Sequence, residues 1–268
     1  MKHTITLTLI LCLLLSLCAI CAGAEEQTTV TVTISNKGTL VATQVTVTVE
    51  DADGDGALTV NDALYIAHQN HYTGGADAGY GYYTGDYGLS MSKLWGDESG
   101  SFGYYLNNAS CMSLADPVKD GDCITAFVYA STDWSDVFCY FDVSAKTVET
   151  GEEITLTLMA AGYDENWNPI SYPVAGAKLI VDNALTGIVT DENGKASFKR
   201  NQAGAVVVSA TSETMTLVPP VCTVTVNAAE TQSETATEAT TAGCNAIAGG
   251  TLVLVALIGC AMITRKEN

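Results

Sequence analysis

Thr28-Thr29-Val30-Thr31-Val32-Thr33-Ile34-Ser35-Asn36-Lys37-Gly38-Thr39-Leu40-Val41-Ala42-Thr43-Gln44-Val45-Thr46-Val47-Thr48-Val49 is the stretch that decides the fold. Val30, Val32 and Ile34 alternate with hydroxyl residues, and Val45, Val47 and Val49 alternate again. Successive side chains on a strand point to opposite faces, so the pattern predicts two strands, each with one buried face. Asn36-Lys37-Gly38 supply the turn of a hairpin. An acidic loop, Asp51–Gly56, follows at once. Beyond it Val60, Ala63, Leu64 and Ala67 fall on one stripe at helical spacing, which predicts a helix over Val60–Tyr72 capped by Thr59.

Further along, Thr73 to Gly88 is rich in Gly and Tyr and reads as irregular. Strands are expected near Gly103–Leu106, Cys123–Ala130 and Val137–Phe141, with turns at Lys119–Asp122 and Thr132–Ser135. The order β-β-α-β-β is that of a β-grasp. From Val143 to Asn227 short strands follow one another, among them Ile154–Leu158, Lys178–Val181 and Ala205–Val208, and these predict a β-sandwich. The expected class is therefore mainly β: an α+β head over 25–142 and a sandwich over 143–227. Ala228 to Ala242 is Ala, Thr and Glu with little else, so 228–245 reads as an extended stalk.

The two ends read as export and anchoring signals. Lys2 precedes an apolar run, and Ala22-Gly23-Ala24 offers small residues for cleavage, so a signal peptide over 1–24 is expected. Ala246 to Ile263 is uncharged and long enough to cross a hydrocarbon core. Thr264-Arg265-Lys266 follow, and basic residues favour the cytoplasmic side. The expectation is a single-pass protein with its N-terminal part outside the cell and a short tail, 264–268, inside. No Leu-Pro-x-Thr-Gly signal precedes the apolar run, so a covalent wall anchor is not expected.

Between the expected signal peptide and the apolar run lie 29 Asp and Glu but 8 Lys and Arg, an excess of 29 − 8 = 21 negative charges. Such a surface repels nucleic acid and anionic lipid and suits cations. Four cysteines remain there, Cys111, Cys123, Cys139 and Cys222, and both disulfides and free thiols stay open. Their spacings fit no zinc pattern. His68 and His71 are the two histidines beyond the signal region, and with no third ligand evident they read as solvated helix residues. No Gly-x-Ser-x-Gly elbow and no convincing cysteine nucleophile is present, so an enzyme is not expected.

The strongest motif is Asp51-Ala52-Asp53-Gly54-Asp55-Gly56-Ala57-Leu58-Thr59-Val60-Asn61-Asp62. Calcium takes six to eight hard oxygens, and a twelve-residue loop delivers them from alternate positions. Here these are Asp51, Asp53 and Asp55 by carboxylate, Ala57 by its carbonyl, Thr59 by hydroxyl or through water, and Asp62. Gly56 sits where the chain must turn through positive φ. The loop resembles that of EF-hand and dockerin proteins, with Asp62 where most EF-hands have Glu and with a strand before the loop. No second loop of this spacing exists, which disfavours the paired-loop docking role that the dockerin resemblance implies.

Leu89-Ser90-Met91-Ser92-Lys93-Leu94-Trp95-Gly96, Gly103-Tyr104-Tyr105-Leu106-Asn107-Asn108-Ala109 and Val118-Lys119-Asp120-Gly121-Asp122 resemble the β-grasp domain at the C-terminus of transcobalamin and intrinsic factor, also found in bacterial surface proteins. That resemblance implies a corrinoid or other small molecule as one ligand class. Tyr80, Tyr82, Tyr83, Tyr87, Trp95 and Tyr104 are candidate ligand contacts, since such rings present an apolar face and a polar tip to glycans, proteins or flat ligands. Val174-Ala175-Gly176-Ala177-Lys178-Leu179 and Thr190-Asp191-Glu192-Asn193-Gly194-Lys195-Ala196-Ser197-Phe198 resemble bacterial Ig-like domains, which act as spacers. The functional expectation is a calcium-binding, membrane-anchored surface binding or adhesion module, with corrinoid capture or a purely structural role as alternatives.

Overall fold

The hairpin forms as its alternation requires. A computed structural model describes residues 27–229, which are mainly β. The expected signal peptide, all but the start of the stalk, the expected membrane helix and the tail lie outside the described residues. Among the described residues no helix is long and apolar enough to cross a membrane. Strands β1 (Thr29–Asn36) and β2 (Thr39–Thr48) pair antiparallel, from Thr29 opposite Thr48 to Asn36 opposite Thr39. Lys37 and Gly38 both turn through positive φ, the mirror-image turn whose twist suits two paired strands.

Helix α1 (Val60–His71) lays its apolar stripe on this hairpin. Val60, Ala63, Leu64 and Ala67 are fully buried against Val30, Val32 and Ile34. Its start is a capping box. The Thr59 hydroxyl accepts from the Asp62 N–H at 3.3 Å, and the Asp62 carboxylate accepts from the Thr59 N–H at 2.9 Å. After α1 come a short helix α2 (Gly75–Gly79) and strands β3 (Tyr80–Gly85), β4 (Gly88–Leu94), β5 (Phe102–Leu106), β6 (Ala109–Ser110) and β7 (Cys123–Val128). β7 runs parallel to β1, with Thr31 opposite Cys123 and Asn36 opposite Val128. Parallel neighbours need a long crossover, and the helix lies within it. The first sheet has the order β2-β1-β7-β5-β6.

Thr73 to Gly88 departs from the irregular segment expected there. It carries α2 and one strand of a separate hairpin, β3–β4, with Tyr80 opposite Leu94 and Gly85 opposite Gly88. Tyr80, Met91 and Leu94 are buried in the head core, so the partner strand supplies what β3 lacks in apolar content.

Ten further strands follow: β8 (Val137–Phe141), β9 (Ala145–Glu149), β10 (Glu153–Tyr163), β11 (Pro169–Pro173), β12 (Lys178–Val181), β13 (Ala184–Val189), β14 (Lys195–Lys199), β15 (Gly204–Thr211), β16 (Leu217–Val218) and β17 (Cys222–Asn227). One sheet orders β11-β10-β8-β16, with β14 also on β10, and the other orders β13-β12-β15-β17-β9. Alternate residues of β10, Ile154, Leu156, Leu158 and Ala160, are fully buried in one core with Leu179, Val208 and Val224. The expected boundary at residue 142 needs correction. β8 was expected to close the first sheet, but it pairs with β10, Phe141 opposite Leu158, and with β16. Alternation fixes which faces a strand buries and leaves its partner undetermined. The four cysteines are free thiols, with Cys139 and Cys222 buried.

A third, small cluster of Phe127, Phe138 and Val218 joins the first sheet to the second part. The Tyr105 and Phe138 rings stack at 3.7 Å between centroids, 10° from parallel. Gly103 opposes Phe127 across the strand pair, and a Cβ there would collide with the Phe127 ring. A bulge in β2 turns Gln44 through φ +46°, and its amide donates to the Ser144 carbonyl at 2.8 Å. Gly103→Ala should therefore displace the Phe127 ring and cost about 1–3 kcal/mol. Urea unfolding would show this as a lower midpoint at unchanged slope; an unchanged midpoint would contradict the packing described.

Candidate metal centre and tyrosine surface

The acidic loop is folded by its own backbone donors. Asp51 Oδ1 accepts from the N–H groups of Gly54 at 2.8 Å and Asp55 at 3.1 Å, and Oδ2 from that of Gly56 at 2.9 Å. Asp55 Oδ1 accepts from the Ala57 N–H at 2.8 Å. Gly56 stands at φ +88°, with open space around the position a Cβ would take, so backbone conformation alone favours glycine there. The result brings one oxygen each of Asp51, Asp53 and Asp55 within 4.8 Å of one another on the exposed loop. Like charges this close repel, and a divalent cation is the chemistry that such a donor set suits.

Asp62, the expected twelfth ligand, is not part of that group, and Thr59, the expected ninth, is hydrogen-bonded to Asp62. Both are buried. Asp62 Oδ2 accepts from the Thr59 hydroxyl at 2.6 Å as well as its N–H, and Oδ1 accepts from the Ala52 N–H at 2.9 Å. This carboxylate fixes the helix start to the beginning of the loop. Ala57 lies on the exposed loop beside Asp55.

Asn61 was not singled out by the ligand pattern, yet it links the loop to the core. Its amide donates to Asp53 Oδ2 at 2.9 Å, and its carbonyl oxygen accepts from the Tyr80 hydroxyl at 2.9 Å. Asn61 is 1% exposed. Burial raises the Tyr80 pKa well above its ordinary value, which keeps the hydroxyl a donor. An amide at the eleventh position of such a loop, adjacent to a buried helix face, is the sequence signal for this contact.

The six candidate aromatic contacts separate into two groups. Tyr80 is buried, and Trp95 and Tyr104 are half-buried against the head core. Tyr82, Tyr83 and Tyr87 are exposed on the β3–β4 hairpin, Tyr87 at 93%. Tyr80 is thus a core residue whose ring offers no surface platform; the exposed three remain together on one hairpin.

His68 overturns the expectation of a solvated helix residue, while His71 is exposed as expected. The His68 ring is fully buried, 4.9 Å from Tyr80 and 5.2 Å from Trp95 between centroids. Nδ1 lies 2.6 Å from the Leu64 carbonyl and donates to it; Nε2 accepts from the Trp95 N–H at 3.1 Å. These partners select the neutral ring protonated at Nδ1. Burial lowers its pKa from 6.5 to about 4, against a smaller opposing effect of the Leu64 bond. Burial also raises the thiol pKa values, Cys111 to about 12 and Cys222 to about 11, so both stay protonated at neutral pH.

No family model and no curated protein matches the chain. Among solved structures, the D0-D1 domain of Intimin aligns at 14% identity over 55% of this chain and 76% of that one, with a TM-score of 0.24.

The buried histidine sets a pH dependence. Its folded pKa lies below the unfolded value, so between pH 6.5 and about 4 the unfolded state binds the extra proton. Stability should fall as pH drops through that window, by about 3 kcal/mol at most. Denaturant midpoints measured across the window should show a smaller fall for His68→Leu than for the parent. Equal falls would contradict the buried neutral ring.

Proposed function

We propose that this chain is a surface binding or adhesion module whose head is clasped by a structural calcium ion. The carrying observation is the convergence of the Asp51, Asp53 and Asp55 oxygens in a loop tied to the core through Asn61. These three carboxylates would hold the ion, with the Ala57 carbonyl as a further oxygen from the loop. Bound calcium would neutralise the clustered charge and rigidify the passage from hairpin to helix. It would have no catalytic part.

The order β2-β1-β7-β5-β6, with its parallel β1–β7 pair and covering helix, supports reading the head as a β-grasp. Two facing sheets around one core support an Ig-like reading of the second part. In this proposal the exposed Tyr82, Tyr83 and Tyr87 belong to the presented surface, and the apolar run 246–263 tethers the chain to the outer face of a membrane.

Millimolar calcium should raise the melting temperature of the intact protein, a stabilisation of about 1–3 kcal/mol if the ion is bound well below that concentration. Asp51→Ala combined with Asp55→Ala should abolish the rise. Equal melting in calcium and in chelator would overturn the proposal.

A further inference from the structure

A cavity of about 410 Å³ opens between the β5–β6 end of the first sheet and the β10–β11 hairpin of the second part. Its volume falls within the roughly 300–1,000 Å³ typical of small-ligand pockets. Its lining contrasts with the rest of the molecule. The chain carries a net charge of −19, yet among the described residues no charged side chain lines this groove. Instead it presents Tyr105, Tyr140 and Tyr163 together with Asn108, Ser110 and Ser171.

The aromatic surfaces are held in place. Tyr105 is backed by Phe138 at 3.7 Å between ring centroids, and the Tyr140 hydroxyl lies 2.8 Å from Ser171 Oγ. Tyr163 is 51% exposed, and the exposed Trp167 ring lies 6.2 Å from it, tilted by 47°. Asn107 and Asn108 both stand exposed at the rim; the Asn107 amide is engaged with the Asp122 carboxylate and the Cys123 N–H, which leaves Asn108 to meet a ligand. The larger neighbouring cavity beside Gln44 and Cys139 is less suited, because those side chains are engaged with Ser144, Thr223 and Val218.

Neutral sugars match this lining: their C–H faces stack on aromatic rings, and their hydroxyls exchange hydrogen bonds with amides, hydroxyls and tyrosine tips. A peptide strand matches it less well. The groove is bordered by two edge strands, but β6 has two residues and β11 begins and ends with proline, features that block strand addition. We infer that the groove between β5–β6 and β10–β11 is a binding site for an uncharged oligosaccharide, with Tyr163 and Tyr105 as stacking surfaces and Asn108 as a hydrogen-bonding rim residue. The inference rests on the reading of the chain as a binding module and places its glycan contact away from the β3–β4 tyrosines.

The test is calorimetric titration of the intact protein, in calcium, with short glucan, mannan, galactan and chitin oligosaccharides. At least one should bind saturably. Tyr163→Ala should weaken it on the order of tenfold, the size expected for loss of an aromatic stacking surface. Asn108→Ala should weaken it less, and Leu185→Ala, at an exposed position on the β12–β13 hairpin, should leave it unchanged. No saturable binding by any of them, binding insensitive to Tyr163→Ala, or preference for sulfated glycans or an extended peptide would overturn the inference. The calcium-dependent melting of Tyr163→Ala should match the parent in every case, so a failure here is separable from a failure of the calcium clasp.

Discussion

Three carboxylates held together in one loop are the constraint around which the head is built. Left to themselves, Asp51, Asp53 and Asp55 would separate. Backbone N–H groups of the loop reach all three, and the Asn61 amide holds Asp53 as well. Because Asn61 also receives the Tyr80 hydroxyl, the acidic surface is connected by two hydrogen bonds to a ring in the core. Asp62 completes the corner from the other side by bonding both Thr59 and Ala52. Hairpin, loop and helix are therefore one mechanical unit, and a cation would reinforce the part that is electrostatically weakest.

That corner sets the direction of α1 and so allows β7 to return parallel to β1. From there order passes to the second part through two contacts of different character. One is apolar, the Tyr105–Phe138 stack beside Phe127. The other is polar, the bulged Gln44 reaching Ser144 and Thr223. Each side of the groove between β5–β6 and β10–β11 is held close to this junction. Tyr105 belongs to both, its ring serving the packing on one side while the residue lines the cavity.

Much of this was legible in the residues, for identifiable reasons. The alternation over Thr28–Val49 and the helical stripe beginning at Val60 report local burial, which sequence encodes directly. The threonine cap was equally plain. What failed depended on partners distant in the chain. β3 lacks an apolar pattern and is made a strand by β4; β8 has a strand's pattern but pairs with β10 rather than with the first sheet. His68 looks solvated among Gln69, Asn70 and His71, and is buried by Tyr80 and Trp95. Thr59 and Asp62 show a subtler ambiguity. Threonine followed three residues later by an acid fits both the last ligand positions of a calcium loop and a capping box, and the hydrogen bonds here satisfy the box.

The most direct measurement of the central claim is a calcium titration followed by ¹H–¹⁵N correlation spectroscopy of the intact protein. The account predicts that the Asn61 side-chain amide and the backbone amides of Gly54 and Gly56 shift together and saturate at one ion per chain, while the amides of Asn108 and Tyr163 stay in place. Loop amides that do not move at millimolar calcium, or that drift without saturating, would contradict it.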